Sequence, residues 1–174
     1  MKKSAFTFFV TLLLSSCLSA QQAISFGPQI GLASNFSSSA KMGIGGSVEY
    51  DNRIGEHFGI RGSAGYTYFK GKYFDDHVSF IPVRAGVQGY LAPEVFIAGE
   101  AGVAIYGDSN KESKTGFSIG LGAGYRIPLS STQFVQLSGS YNYFKHSSFL
   151  NYTWFNFRAA FGLSWGKTKS SLEK

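Results

Sequence analysis

His146 and Ser148 stand two residues apart in His146-Ser147-Ser148. A histidine so placed could take the proton of the serine hydroxyl and make it a nucleophile, provided an acid orients the ring. That acid is missing: after Glu112 the next acidic residue is Glu173, and the segment 152–165 has none. Asp75-Asp76-His77 offers oxygen and imidazole ligands, but adjacent residues of one loop cannot complete a cation's shell by themselves. Gly120-Leu121-Gly122-Ala123-Gly124 imitates a phosphate-binding loop, yet the spacing is wrong and no helical pattern follows. Asn35-Phe36-Ser37 and Asn151-Tyr152-Thr153 fit the acceptor pattern for N-glycosylation, which by itself assigns them nothing. What remains is a spaced series of long polar residues, about one per segment: Gln29, Glu49, Arg61, Arg84, Glu100, Arg126, Gln136 and Arg158.

The segments that carry them alternate with a period of two. In the last, Phe155, Phe157, Ala159, Phe161, Leu163 and Trp165 fall on one face, and Trp154, Asn156, Arg158, Ala160, Gly162 and Ser164 on the other. Residues 116–128 set Phe117, Ile119, Leu121, Ala123, Tyr125 and Ile127 against Ser118, Gly120, Gly122, Gly124 and Arg126. Residues 58–69 and 95–106 behave alike, and strands also fit 24–34, 41–50, 79–90 and 134–144, eight in all. Asp51–His57, Leu91–Glu94 and Pro128–Thr132 read as compact turns. Residues 34–40, 70–77, 107–115 and 145–152 read as longer polar loops. The pattern is a hairpin repeated four times, with no helix-length segment and no second domain.

Composition agrees. Aromatics make up 17% of the 174 residues, charged residues only 15%, and there are 22 Gly. A single Cys excludes a disulfide framework or a Cys-rich zinc site. The chain opens on Met1-Lys2-Lys3, an apolar run Ala5–Leu14, and then Ser15-Ser16-Cys17-Leu18-Ser19-Ala20. That order predicts a secretory signal over 1–20, cleaved after Ala20. Leu14–Cys17 also resembles a lipobox, which would make Cys17 a lipidated N-terminus. Without Lys2 and Lys3 the formal charge falls from +6 to +4. The lysines are scattered in loops and no basic helix face exists, so nucleic acid is not an expected partner.

The two faces of the strands decide the environment. A soluble sheet shows water a face rich in charge. Here the polar face is Gly, Ala and Ser with one long residue per strand, which suits a narrow interior. The apolar face is broad and aromatic, which suits lipid; a soluble barrel with that face turned inward around a ligand is the alternative. About 9–11 tilted residues cross a bilayer, and closing the sheet removes the edges that lipid cannot satisfy. Tyr66, Tyr68, Tyr141 and Tyr143 near the long loops, and Tyr50, Phe58, Tyr125 and Trp165 near the short turns, would form the two aromatic girdles. The expected fold is all-β: an eight-stranded antiparallel up-and-down transmembrane β-barrel over residues 21–166, with a polar tail at 167–174.

On these residues the chain resembles the small eight-stranded outer-membrane barrels of the OmpA/OmpX type, and in style the outer-membrane β-barrel domain proteins of Bacteroidetes. Arg158, Ala160, Leu163 and Trp165 resemble the insertion signal on the last strand of such barrels, with Ala160 where Gly is usual and a tail where the chain usually ends on an aromatic. The resemblance implies a monomer in the cell outer membrane, surrounded by lipid and lipopolysaccharide and inserted by the barrel-assembly machinery, with no cofactor. It implies a non-enzymatic structural role or surface contact through four loops. The His146-x-Ser148 pair is similar to that of outer-membrane lipid A deacylases, so lipid A modification is one alternative and a narrow solute channel another. Inside the barrel, reflection about the short turns puts Glu49 roughly opposite Arg61 and Arg84 roughly opposite Glu100, with Arg126 and Arg158 on the other wall. The expectation is a paired charge network of these six residues that plugs the lumen.

Overall fold

The computed structural model describes residues 21–36, 40–71, 77–108, 113–146 and 151–166. The leader with Cys17, the Asp75-Asp76 pair, Ser148 and the tail 167–174 lie outside the described residues. The strands are β1 (Gln21–Ala33), β2 (Ala40–Ile54), β3 (Phe58–Gly71), β4 (His77–Tyr90), β5 (Val95–Asp108), β6 (Ser113–Pro128), β7 (Gln133–Lys145) and β8 (Asn151–Trp165). Each pairs antiparallel with the next, and β8 closes on β1. No strand of the ring is left with an unpaired edge, the condition for a sheet to sit in lipid.

Period-two alternation sorts the side chains. Outward go Ile44, Phe58, Val87, Leu121, Phe155 and Phe157, all exposed. Inward go Gln29, Asp51, Arg61, Gln88, Gln136, Asn142 and Arg158, all buried. This inverts a soluble protein: large apolar side chains cover the outside, and charged and amide side chains are buried beside a set of aromatic rings. Such an exterior is stable against acyl chains and not against water. Tyr66 and Tyr141 lie exposed toward the long-loop end, and Tyr50, Phe58, Tyr125 and Trp165 toward the short-turn end. Pro28 and Pro82, which have no N–H to give, sit where the β1–β8 and β3–β4 ladders skip residue pairs.

Several strands run past their expected bounds, β6 beginning at Ser113 and β8 at Asn151, and one such shift bears on the lumen. Asp51 to Ile54 belong to β2, and the turn is only Gly55 to His57, with Gly55 at φ 82°. Asp51-Asn52 looks like a turn signal, but both residues have ladder partners on each side: Asp51 pairs with Ala23 and with Arg61. The longer strand carries Asp51 into the lumen.

The inside–outside assignment has a direct test. Phe157 lies exposed near the middle of β8. Phe157→Arg is expected to cost about 2–4 kcal/mol of barrel stability in bilayer unfolding experiments. Ser164→Arg, at the lumen face near the strand end, should cost less, and the reverse order would invert the assignment.

Candidate functional site: the barrel lumen

The interior is stacked in three layers. At the long-loop end, Phe69 (β3), Phe80 (β4), Tyr106 (β5), Phe144 (β7) and Trp154 (β8) form a buried cluster with Phe36 from the β1–β2 connection, and Tyr152 packs against it. Strands β4 and β8 are four apart in a ring of eight, so they face each other across the barrel. The Phe80 and Trp154 rings nevertheless stack, with centroids 4.4 Å apart at 20°. Tyr106 and Tyr152 also stack, at 5.2 Å, and their hydroxyls are 3.2 Å apart. Phe36 packs on Phe69 and Tyr152 at 5.1 and 5.2 Å. Asn35 fixes this connection by accepting from the Thr153 N–H (2.8 Å) and donating to the Asn151 carbonyl (3.0 Å). The Asn35 and Asn151 amides of the glycosylation-like patterns are thus engaged with each other.

The middle layer is ionic. Arg61 donates to Asp51 through Nε at 2.7 Å and lies 3.5 Å from Glu49. Arg126 reaches across the lumen from β6 to the same Asp51 in β2, and its Nε donates to Gln136 at 3.0 Å. Arg158 lies 2.9 Å from Glu49, which also accepts from Gln136 at 2.7 Å. Arg84 lies 3.7 Å from Glu100 and donates to Asn142 across the barrel at 2.7 Å. Ser63 donates to Glu100 at 3.1 Å, and Gln29 donates to Thr67 at 2.7 Å.

At the short-turn end, arginines lie on rings. The Arg126 guanidinium is 5.2 Å from the Phe96 ring and 5.1 Å from Phe134, Arg61 is 4.6 Å from Phe96, and Arg53 is 4.1 Å from Tyr90. Inward glycines make the space. A Cβ on Gly124 would enter the Phe96 ring, on Gly162 the Phe134 ring, on Gly116 the Phe144 ring, and on Gly120 the Arg84 guanidinium. The Gly120–Gly124 run is therefore a bed for lumen side chains.

All six residues of the expected lumen set face this layer, in a register that differs from simple reflection. Asp51, not Glu49, stands opposite Arg61; Glu49 stands opposite Ser63. Arg84 stands opposite Gly102, and Glu100 opposite Gly86, so that pair is diagonal. Asp51 was absent from the expected set and is shared by two arginines. The buried rings were absent too, although Phe69, Phe80, Phe96, Phe144 and Trp154 share the alternating face of the charged residues, and that parity is the signal that finds them. Of the last-strand motif, Arg158 and Ala160 are buried, whereas Leu163 and Trp165 are exposed on the lipid side. His146 lies with Nδ1 2.7 Å from the Thr115 carbonyl oxygen. His77 stacks on Tyr68, with centroids 5.4 Å apart. Among the described residues no group of three or more His, Cys, Asp or Glu is placed to hold a metal.

A closed eight-stranded barrel, apolar outside and with its charged side chains within, defines a transmembrane β-barrel. Residues 8–171 match the family model of the outer membrane protein beta-barrel domain, and the chain belongs to that family, whose place is the outer membrane. Comparison with curated proteins gives no match. Among solved structures, the chain is similar to Ail, the attachment invasion locus protein of Yersinia pestis, with a TM-score of 0.59 and 18% identity over 84% of this chain and 99% of that one. OprG from Pseudomonas aeruginosa gives 0.54 and 13% over 87% and 99%. Neisserial surface protein A gives 0.53 and 16% over 82% and 95%. At such identities the likeness is one of fold.

Proposed function

We propose that this chain is a non-catalytic outer-membrane barrel whose lumen is a packed core, and which acts through its wall and its four outer loops: by reinforcing the membrane or by surface contact. The observation that carries this reading is the set of bridges across the lumen. Phe80 meets Trp154 from opposite walls, and so do Arg126 and Asp51. Eight strands enclose a space that side chains can fill, and here they do so in consecutive layers. That speaks against the narrow solute channel. Against lipid A hydrolysis speaks the environment of His146, whose Nδ1 contacts a main-chain carbonyl rather than a carboxylate.

Two measurements on the full-length protein test this. In planar bilayers the purified barrel is expected to show no conductance steps; steady conductance would favour the channel. In producing cells, His146→Ala and Ser148→Ala should leave lipid A composition unchanged, and loss of a deacylated species in either would favour the hydrolase.

The same reading makes lipid and lipopolysaccharide the barrel's surroundings, and a monomer its working state. It takes Arg158, Ala160, Leu163 and Trp165 as the insertion signal read by the assembly machinery. It also takes 1–20 as a cleaved leader, so sequencing of the mature protein should begin at Gln21; a lipid-bearing N-terminus at Cys17 would replace this with the lipoprotein form.

A further inference from the structure

A cavity of about 50 Å³ lies in the ionic layer, bounded by Ser47, Glu49, Arg61, Arg84, Glu100 and Arg158 with small residues between them. The charges facing this layer can be taken strand by strand. β2 brings Glu49 and Asp51, β3 Arg61, β4 Arg84, β5 Glu100, β6 Arg126 and β8 Arg158. Among the described residues β1 and β7 bring neutral groups, Gln29 and Ser25 from β1 and Gln136, Ser138, Ser140 and Asn142 from β7. Among the described residues, four guanidiniums thus meet three carboxylates in this layer, and one positive charge is left over.

The carboxylates are already engaged. Asp51 serves Arg61 and Arg126. Glu49 serves Arg158 and Arg61 and accepts from Gln136. Glu100 accepts from Ser63 and stands 3.7 Å from Arg84, whose hydrogen bond goes to the neutral Asn142 amide. Nε of Arg84, Nε of Arg158 and the Ser47 hydroxyl are buried without a hydrogen-bond partner among the described residues. These side chains are deeply enclosed: Arg84 is 8% and Arg158 4% exposed. Buried donors without a hydrogen bond are costly, and so is a layer that holds one cation in excess. Water in the cavity could accept from those donors, and could give to the unpartnered Glu100 Oε1 and Asn156 Oδ1. Water cannot cancel the charge, whose field is strong where solvent is scarce.

We propose that this cavity is a site for one small monovalent anion of chloride size, held between Arg158 with Ser47 on one side and Arg84 on the opposite wall. The one missing negative charge sets the class, and the space is enough for one chloride with water beside it. The anion completes the ionic layer as a fourth negative group.

Crystals of the full barrel grown in bromide should show one anomalous peak within hydrogen-bond reach of Arg158 and Arg84. In detergent, the midpoint of heat-induced gel mobility change should be higher in chloride than in gluconate at equal ionic strength, by roughly 5 °C at saturation. Ser47→Asp supplies a tethered carboxylate and should abolish that difference. If Ser47→Asp does not fold, Arg158→Gln balances the layer by removing a cation and should abolish it as well. A cavity holding water alone in the bromide crystals, with equal midpoints in the two salts, would overturn the proposal. So would a chloride effect that persists undiminished in the charge-balanced variant.

Discussion

Replacing Asp51 by alanine is expected to destabilise the barrel by about 3–5 kcal/mol, the cost of leaving buried charges without their partner. Asp51 is 2% exposed and is shared by arginines from β3 and β6. Its loss leaves Arg61 with Glu49 at 3.5 Å and leaves Arg126 with Gln136 and the faces of Phe96 and Phe134. Two cations then lie against one another's walls with one carboxylate fewer. Glu56→Ala, in the exposed turn at the end of the same strand, should stay within about 0.5 kcal/mol. Urea unfolding in lipid vesicles measures both. A double-mutant cycle on Asp51 and Arg126 should give a coupling of about 1 kcal/mol or more. Coupling near zero would mean that the lumen is wet enough to solvate each charge alone, and would remove the basis for treating the layer as a core.

The architecture was legible because a barrel writes its two environments into alternate residues. Phe155, Phe157, Phe161, Leu163 and Trp165 needed no partner to be read as a lipid face. The lumen was legible only in part, for a geometric reason. Turn reflection depends on where each turn begins, and it set both pairs two positions off, which keeps the face but changes the partner. Asp51 fell to that uncertainty, since Asp-Asn suggests a turn and the ladder in fact continues three residues further. Arg126 meeting Asp51 and Phe80 meeting Trp154 are contacts across the ring, and no local pattern in the chain encodes them. The inward aromatics were masked by a composition in which rings already had an evident place outside. Their parity with Arg61, Arg84, Glu100 and Arg158 separates them, once the lumen is treated as a volume to be filled rather than as a polar surface.

Trp154→Ala is expected to be the most damaging single truncation in the outer half, at about 3–5 kcal/mol, because it removes a large, fully buried side chain from a packed cluster. Trp154 stacks on Phe80 at 4.4 Å and meets Phe69 edge-on at 6.3 Å, so it joins β8 to β3 and β4 across the lumen. Its neighbours cannot close the gap without moving strands that are hydrogen-bonded on both sides. Conductance should nevertheless stay absent in this variant. The ionic layer lies beneath the aromatic one, and Arg126 with Asp51 and Gln136 with Glu49 bridge the barrel independently of it. Stability and permeability should therefore separate, with urea unfolding showing the loss and bilayer recordings showing none. Conductance in Trp154→Ala would mean that the rings alone seal the barrel and that ions pass the charged layer freely. The paired arginines would then line a path, and the packed-core reading would hold only for the outer half.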